Sequence, residues 1–90
     1  MKKDFRFSLL DIENLFTDFS RDKIVLSPDQ KYALYRLDRE SHFEVKLHDQ
    51  NNNVIGQEMF LKDDLKKIKT MLINFLLSVN LFDENTLKIN

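Results

Sequence analysis

Residues 31–61 read KYALYRLDRESHFEVKLHDQNNNVIGQEMFL, and the period of two in this stretch decides the fold. In 42–48, Phe43, Val45 and Leu47 alternate with His42, Glu44, Lys46 and His48. Successive side chains leave a strand on opposite faces, so this alternation predicts a strand with one buried face and one wet face. Residues 31–37 form a preceding strand, joined to it through 38–41. Residues 50–53 form the next turn, because asparagine tolerates left-handed backbone. A third long strand follows over 54–61, interrupted by Gly56, the chain's only glycine, which predicts a bulge or a close backbone approach. Upstream, 23–26 is a short β-rich run, closed by a turn over 27–30 around the only proline.

Helical periods flank this block. Ser8 reads as an N-cap, with Asp11 as its reciprocal partner and Phe7 placed to staple Ile12. Leu9, Ile12, Leu15, Phe16 and Phe19 then share one side of a helix over 8–20, and 4–7 reads as a short extended arm. After the strands, 62–82 (KDDLKKIKTMLINFLLSVNLF) carries more apolar surface than one helical face holds. Leu65, Ile68, Met71, Leu72, Phe75, Leu76, Val79 and Phe82 form a broad stripe, and Ile73, Leu77 and Leu81 a narrower ridge beside it. The helix is expected over 63–80, with Asp63 and Asp64 at the positive end of its dipole. Asn80 reads as a left-handed cap residue after which Leu81 folds back. Residues 83–90 read as a tail docking through Leu87 and Ile89. The expected fold is α+β: a small antiparallel sheet of three or four strands flanked by an N-terminal and a C-terminal helix, in the order α-β-β-β-β-α.

Ninety residues make a single domain over 1–90, since a chain this short cannot fill two cores. Its 42% hydrophobic and 32% charged residues lie in the globular range. A net charge of -1 argues against general attraction to a polyanion. The chain has no cysteine, which excludes disulfides, thiolate zinc sites and a cysteine nucleophile, and makes a cytoplasmic protein the simplest expectation. Acidic residues interrupt the apolar stretch of the N-terminal MKKDFRFSLLDIENLF, so it does not read as a signal peptide. No run approaches the roughly 20 apolar residues of a membrane span. Abundant Asn, Lys, Asp and Ile suggest an AT-rich genome such as that of a phage or mobile element.

The chemistry-bearing residues are sparse. The two histidines share a predicted strand face but stand roughly 20 Å apart at about 3.3 Å per residue, too far to share a metal. Asp63 and Asp64 are more simply dipole partners than an acid and base pair. One glycine cannot build a phosphate loop, and there is no serine elbow. An enzyme is therefore not expected, nor a cofactor, a metal site or a small-molecule substrate. Two surfaces remain. The ridge Ile73, Leu77 and Leu81 is the candidate protein interface, with three covers open to it: the first helix or tail of the same chain, which is favoured because small domains rarely leave two aliphatic residues together in water, the matching ridge of a second copy, or a foreign protein. Arg36, Lys46, Lys66, Lys67 and Lys69, with Tyr32 and Phe60 as stacking platforms, are the candidate contacts for single-stranded nucleic acid.

From Tyr32 to Leu72, about half the chain, strands followed by a Leu-Lys-Lys-Ile helix resemble the strand-strand-strand-helix order of the single-strand-binding transcription coactivators of the positive cofactor four type. That family's basic strand residues are matched here only by Arg36 and Lys46. The helix-first order and small size are similar in style to phage inhibitors, anti-CRISPR proteins among them. Both likenesses are of pattern and carry no motif. The expectation is a non-catalytic protein-interaction module, an inhibitor or adaptor or a homodimer, with nucleic-acid binding ranked second.

Overall fold

In the computed structural model, which describes residues 5–87, the order of elements is α1 (Leu9–Leu15), β1 (Lys23–Leu26), β2 (Ala33–Asp38), β3 (His42–His48), β4 (Val54–Leu61), α2 (Leu65–Ser78) and a single 3-10 turn, Glu84–Leu87. The strands form one antiparallel sheet in chain order, β1-β2-β3-β4. This is the α+β layout that the alternating periods predict.

Each turn has a local chemical cause. Ser27, buried beside Pro28, donates its hydroxyl to Asp29 at 2.7 Å and accepts from the Tyr32 N–H at 3.1 Å, while Gln30 takes a positive φ of 62°. Between β3 and β4 the Asp49 carboxylate accepts from the N–H groups of Asn51 and Asn53, both at 2.9 Å, and Asn52 supplies the left-handed residue at φ 63°. Gly56 answers to both of its expected roles. The pairing register shifts at Leu47/His48, opposite its stretch of β4, and a Cβ at Gly56 would lie 2.5 Å from Cζ of Phe75.

Both helices cover the same face of the sheet. One continuous core joins Ile12, Leu15 and Phe16 of the α1 region to Leu34, Phe43, Val45, Leu47 and Phe60 of the strands and to Ile68, Leu72 and Leu76 of α2. The N-terminus of α1 carries the expected capping box: Asp11 N–H donates to Ser8 Oγ at 3.3 Å and Ser8 N–H to Asp11 Oδ2 at 2.8 Å. At the end of α2, Asn80 N–H reaches Leu77 O at 3.1 Å and Leu81 N–H reaches Leu76 O at 2.8 Å, with Asn80 at φ 59°. That pair of bonds is a Schellman motif, and it folds Leu81 back into the core as the position of Asn80 predicts.

α1 is shorter than the expected 8–20. It ends at Leu15 because the carbonyls beyond it turn toward a partner on β2 that the local sequence cannot show. The tail also docks differently. Phe7 and Phe82 form a parallel bridge, with Phe7 N–H to Leu81 O and Asp83 N–H to Phe7 O both at 2.8 Å. Thr86 Oγ1 accepts from Leu9 N–H at 3.0 Å, so the backbone and a hydroxyl hold the segment, while Leu87 stays exposed. Ile89 lies outside the described residues. Among the described residues no helix is long and apolar enough to cross a membrane.

Candidate interaction surface

Arg36 occupies the inner face of β2 and is fully buried, at 0% exposure. Its guanidinium donates to four backbone carbonyls: Leu15 at 2.6 Å, Thr17 at 2.7 Å, Asp18 at 3.1 Å and Arg21 at 2.7 Å. It also pairs with Asp38 Oδ2 at 2.9 Å, and the rings of Phe19 and Phe43 lie 4.7 and 5.9 Å from its central carbon. Five donors in a planar fork suit such a cage. Arg36 is thus an internal clasp on the 16–22 loop and not a surface cation.

The remaining basic candidates do not converge. Lys46 stands on the outer sheet face beside Glu44, at 3.6 Å. Lys69 lies within the packed arc of α2 and bridges to Glu13 of α1 at 2.9 Å. Lys66 and Lys67 are exposed on the helical layer. Of the stacking platforms, Phe60 is buried and Tyr32 packs half-buried against the core.

The apolar ridge finds its cover inside the chain. Ile73 is 9% and Leu81 5% exposed, and Leu77 is half-buried against the core. The buried arc of α2 centres on Leu72 and Leu76 and reaches Ile73, while Met71 and Val79 of the broad stripe face solvent. The helix is rolled toward its second ridge, with Phe75 against Gly56 and Lys69 beside Glu13.

The largest group of exposed apolar side chains lies on the face of the sheet that no helix covers, while Leu10, Phe19, Met71 and Val79 are exposed singly elsewhere. Cross-strand partners share a face, so the registers assign Ile24 and Leu26 of β1, Ala33, Tyr35 and Leu37 of β2, the polar row of β3, and Val54, Gln57, Met59 and Leu61 of β4 to it. Ile24 is 56%, Met59 58% and Leu61 74% exposed. Down the middle runs His42, Glu44, Lys46, His48. Glu44 lies between Arg39, at 3.7 Å, and Lys46, and the Tyr35 and His48 rings meet at 4.3 Å between centroids. Near the β4 edge, Met59 and Leu61 continue into a shallow cleft of about 250 Å³ with Ile68 and Met71, with Asp63 and Lys67 among its lining residues.

The sequence held a signal for this surface. Both edge strands are apolar in both phases, Ile24 and Leu26 beside Val25, Met59 and Leu61 beside Phe60, whereas a strand with one wet face alternates. Among the described residues no group of three His, Asp or Glu side chains is gathered as a metal site. No protein-family model, curated protein or solved structure matches the chain.

Proposed function

We propose that this protein is a non-catalytic interaction module that binds protein through the outer face of its sheet. The observation that carries the reading is the group Ile24, Leu26, Val54, Met59 and Leu61, each about half exposed or more on one side of a small sheet. Small domains seldom leave so many large apolar side chains on one wall in water unless something docks there. The face is also near neutral, with one acidic and one basic side chain on its central row, which suits a protein better than a polyanion. Nucleic-acid binding ranks lower because Arg36 is internal, Lys69 is held by Glu13, and Glu44 offsets the charge of Lys46 on the same face. The best-placed polar groups, Arg36, Asp29 and Asp49, serve loops and turns, which favours a binding role over catalysis. A role as inhibitor or adaptor in a reducing cytoplasm fits the small size and the lack of cysteine.

The test is site-specific photo-cross-linking in a cell lysate, with the probe at Met59 or Ile24 and a control probe at Asn74, exposed on α2. Protein adducts, whether with a second copy or another chain, are expected from the two sheet positions and not from Asn74. Equal or greater yield from Asn74 would contradict the reading.

A further inference from the structure

The reading above leaves the occupant of the outer face open, and the charge order along β3 narrows it. We propose that the occupant is a second copy of this chain, packed face to face about a two-fold axis that runs across the strands and passes over Val45. This rests on the outer face being the working surface.

A two-fold interface must be self-complementary: if residue i meets residue j, then j meets i. The outer row His42, Glu44, Lys46, His48 satisfies that condition in one orientation. With the axis across the strands, β3 of one copy lies antiparallel over β3 of the other. Glu44 then faces Lys46 of the second copy, Lys46 faces its Glu44, and His42 faces its His48. An axis along the strands would set Glu44 on Glu44 and Lys46 on Lys46. The favoured orientation also brings Tyr35 over Leu37 of the second copy, because both flank Arg36, the register partner of Val45. It stacks β4 on β4, so the exposed Leu61 meets Val54 of the second copy and Met59 meets its Gln57, while β1, which begins at the level of the axis, has no strand of the second copy opposite Ile24 and Leu26. Aligned packing of sheets accommodates this with a rotation of about 30°.

The edges of the sheet point the same way. Lys23 of β1 pairs with buried Arg36, and Glu58 of β4 with buried Val45, so each edge strand directs one charge toward the covered face. Inward charges, a four-residue β1 and the irregularity in β4 are devices that blunt edge-to-edge pairing. Association is thereby directed to the face.

The available area sets the strength. Strands of four, six, seven and eight residues, at about 3.3 Å per residue and about 4.8 Å between strands, give a footprint of roughly 400 Å² per copy. The pair therefore buries about 800 Å², in the range of a weak, transient contact. The dimer should be weak and reversible.

Sedimentation equilibrium from about 10 µM to about 1 mM tests this on the full chain, with circular dichroism confirming that each variant keeps the wild-type fold. Wild type should move from monomer to dimer over that range. Lys46→Glu and Glu44→Lys should each weaken self-association at least about tenfold, and mixing the two should restore a heterodimer, since an acidic row then faces a basic one. Met59→Lys, at an exposed position, provides a second disruption independent of the charge row. A wild type that stays monomeric to about 1 mM, or charge variants that associate as wild type does, would overturn the proposal. Monomeric wild type with Met59 cross-links to a different protein would remove the second copy as occupant and leave the working surface standing, whereas loss of both would remove the surface too.

Discussion

Arg36 shows how one residue can decide where a helix ends. Its guanidinium collects the carbonyls of Leu15, Thr17, Asp18 and Arg21, and those carbonyls are free to be collected only if α1 stops at Leu15. The bonds are charge-assisted and enclosed, so deleting the side chain leaves buried acceptors without donors. Arg36→Met should cost about 3–5 kcal/mol in urea unfolding. Arg36→Lys should recover little, because an ammonium cannot span the fork. A loss below about 1 kcal/mol would mean that the loop holds itself. Asp49 organises its turn by a smaller device. The Asn53 N–H is the main influence holding its carboxyl below the ordinary value of 3.8, against the upward push of desolvation, with the Asn51 N–H adding to the lowering. A carboxylate depressed in the folded state lends stability that is complete above its unfolded value and lost as pH falls through the folded one. NMR titration of the Asp49 side chain should therefore give a midpoint below 3.8, and Asp49→Asn should flatten the acid side of the stability profile below about pH 4. A midpoint at or above 3.8 would contradict the turn geometry.

Elements governed by local chemistry were legible from the sequence, and those governed by distant partners were not. β3 and β4, the capping box at Ser8 and the reversal at Asn80 follow from alternation, capping chemistry and left-handed propensity within a few residues. The extent of α1 and the roll of α2 depend on Arg36, Glu13 and Gly56, each far away in sequence. Arg36 misled for a specific reason: β2 has apolar residues in both phases, Ala33, Tyr35 and Leu37 against Leu34, so a charge at 36 reads as outward until the pairing with Val45 is known. Of the three covers open to the ridge the chain itself supplies the one found, because Ile73 and Leu77 are surplus only if the helix faces the sheet through Met71. The Gly56 and Phe75 contact that fixes the roll can be measured. Gly56→Ala should destabilise by about 1–3 kcal/mol through overpacking against the ring. In a Phe75→Ala background the same change should cost little or stabilise, as alanine is preferred to glycine within a strand. Additive effects in this double-mutant cycle would mean that Phe75 does not set the roll.

On the scale of the whole molecule, both helices are spent on one side of a four-stranded sheet, and an antiparallel sheet left open on its other side ordinarily shows polar side chains there. The chain covers the inner face and the former candidate ridge together, and leaves Ile24, Leu26, Val54, Met59 and Leu61 exposed on the other. The interaction we assign to that wall makes a sharp spectroscopic distinction between the two surfaces. In NMR of protein labelled at Ile, Leu and Met methyls, diluted from about 1 mM to about 10 µM, the methyls of Leu37, Met59 and Leu61 should shift with concentration while those of Ile73 and Leu77 stay fixed. Shifts centred on Ile73 and Leu77, or none on the outer face, would contradict the account.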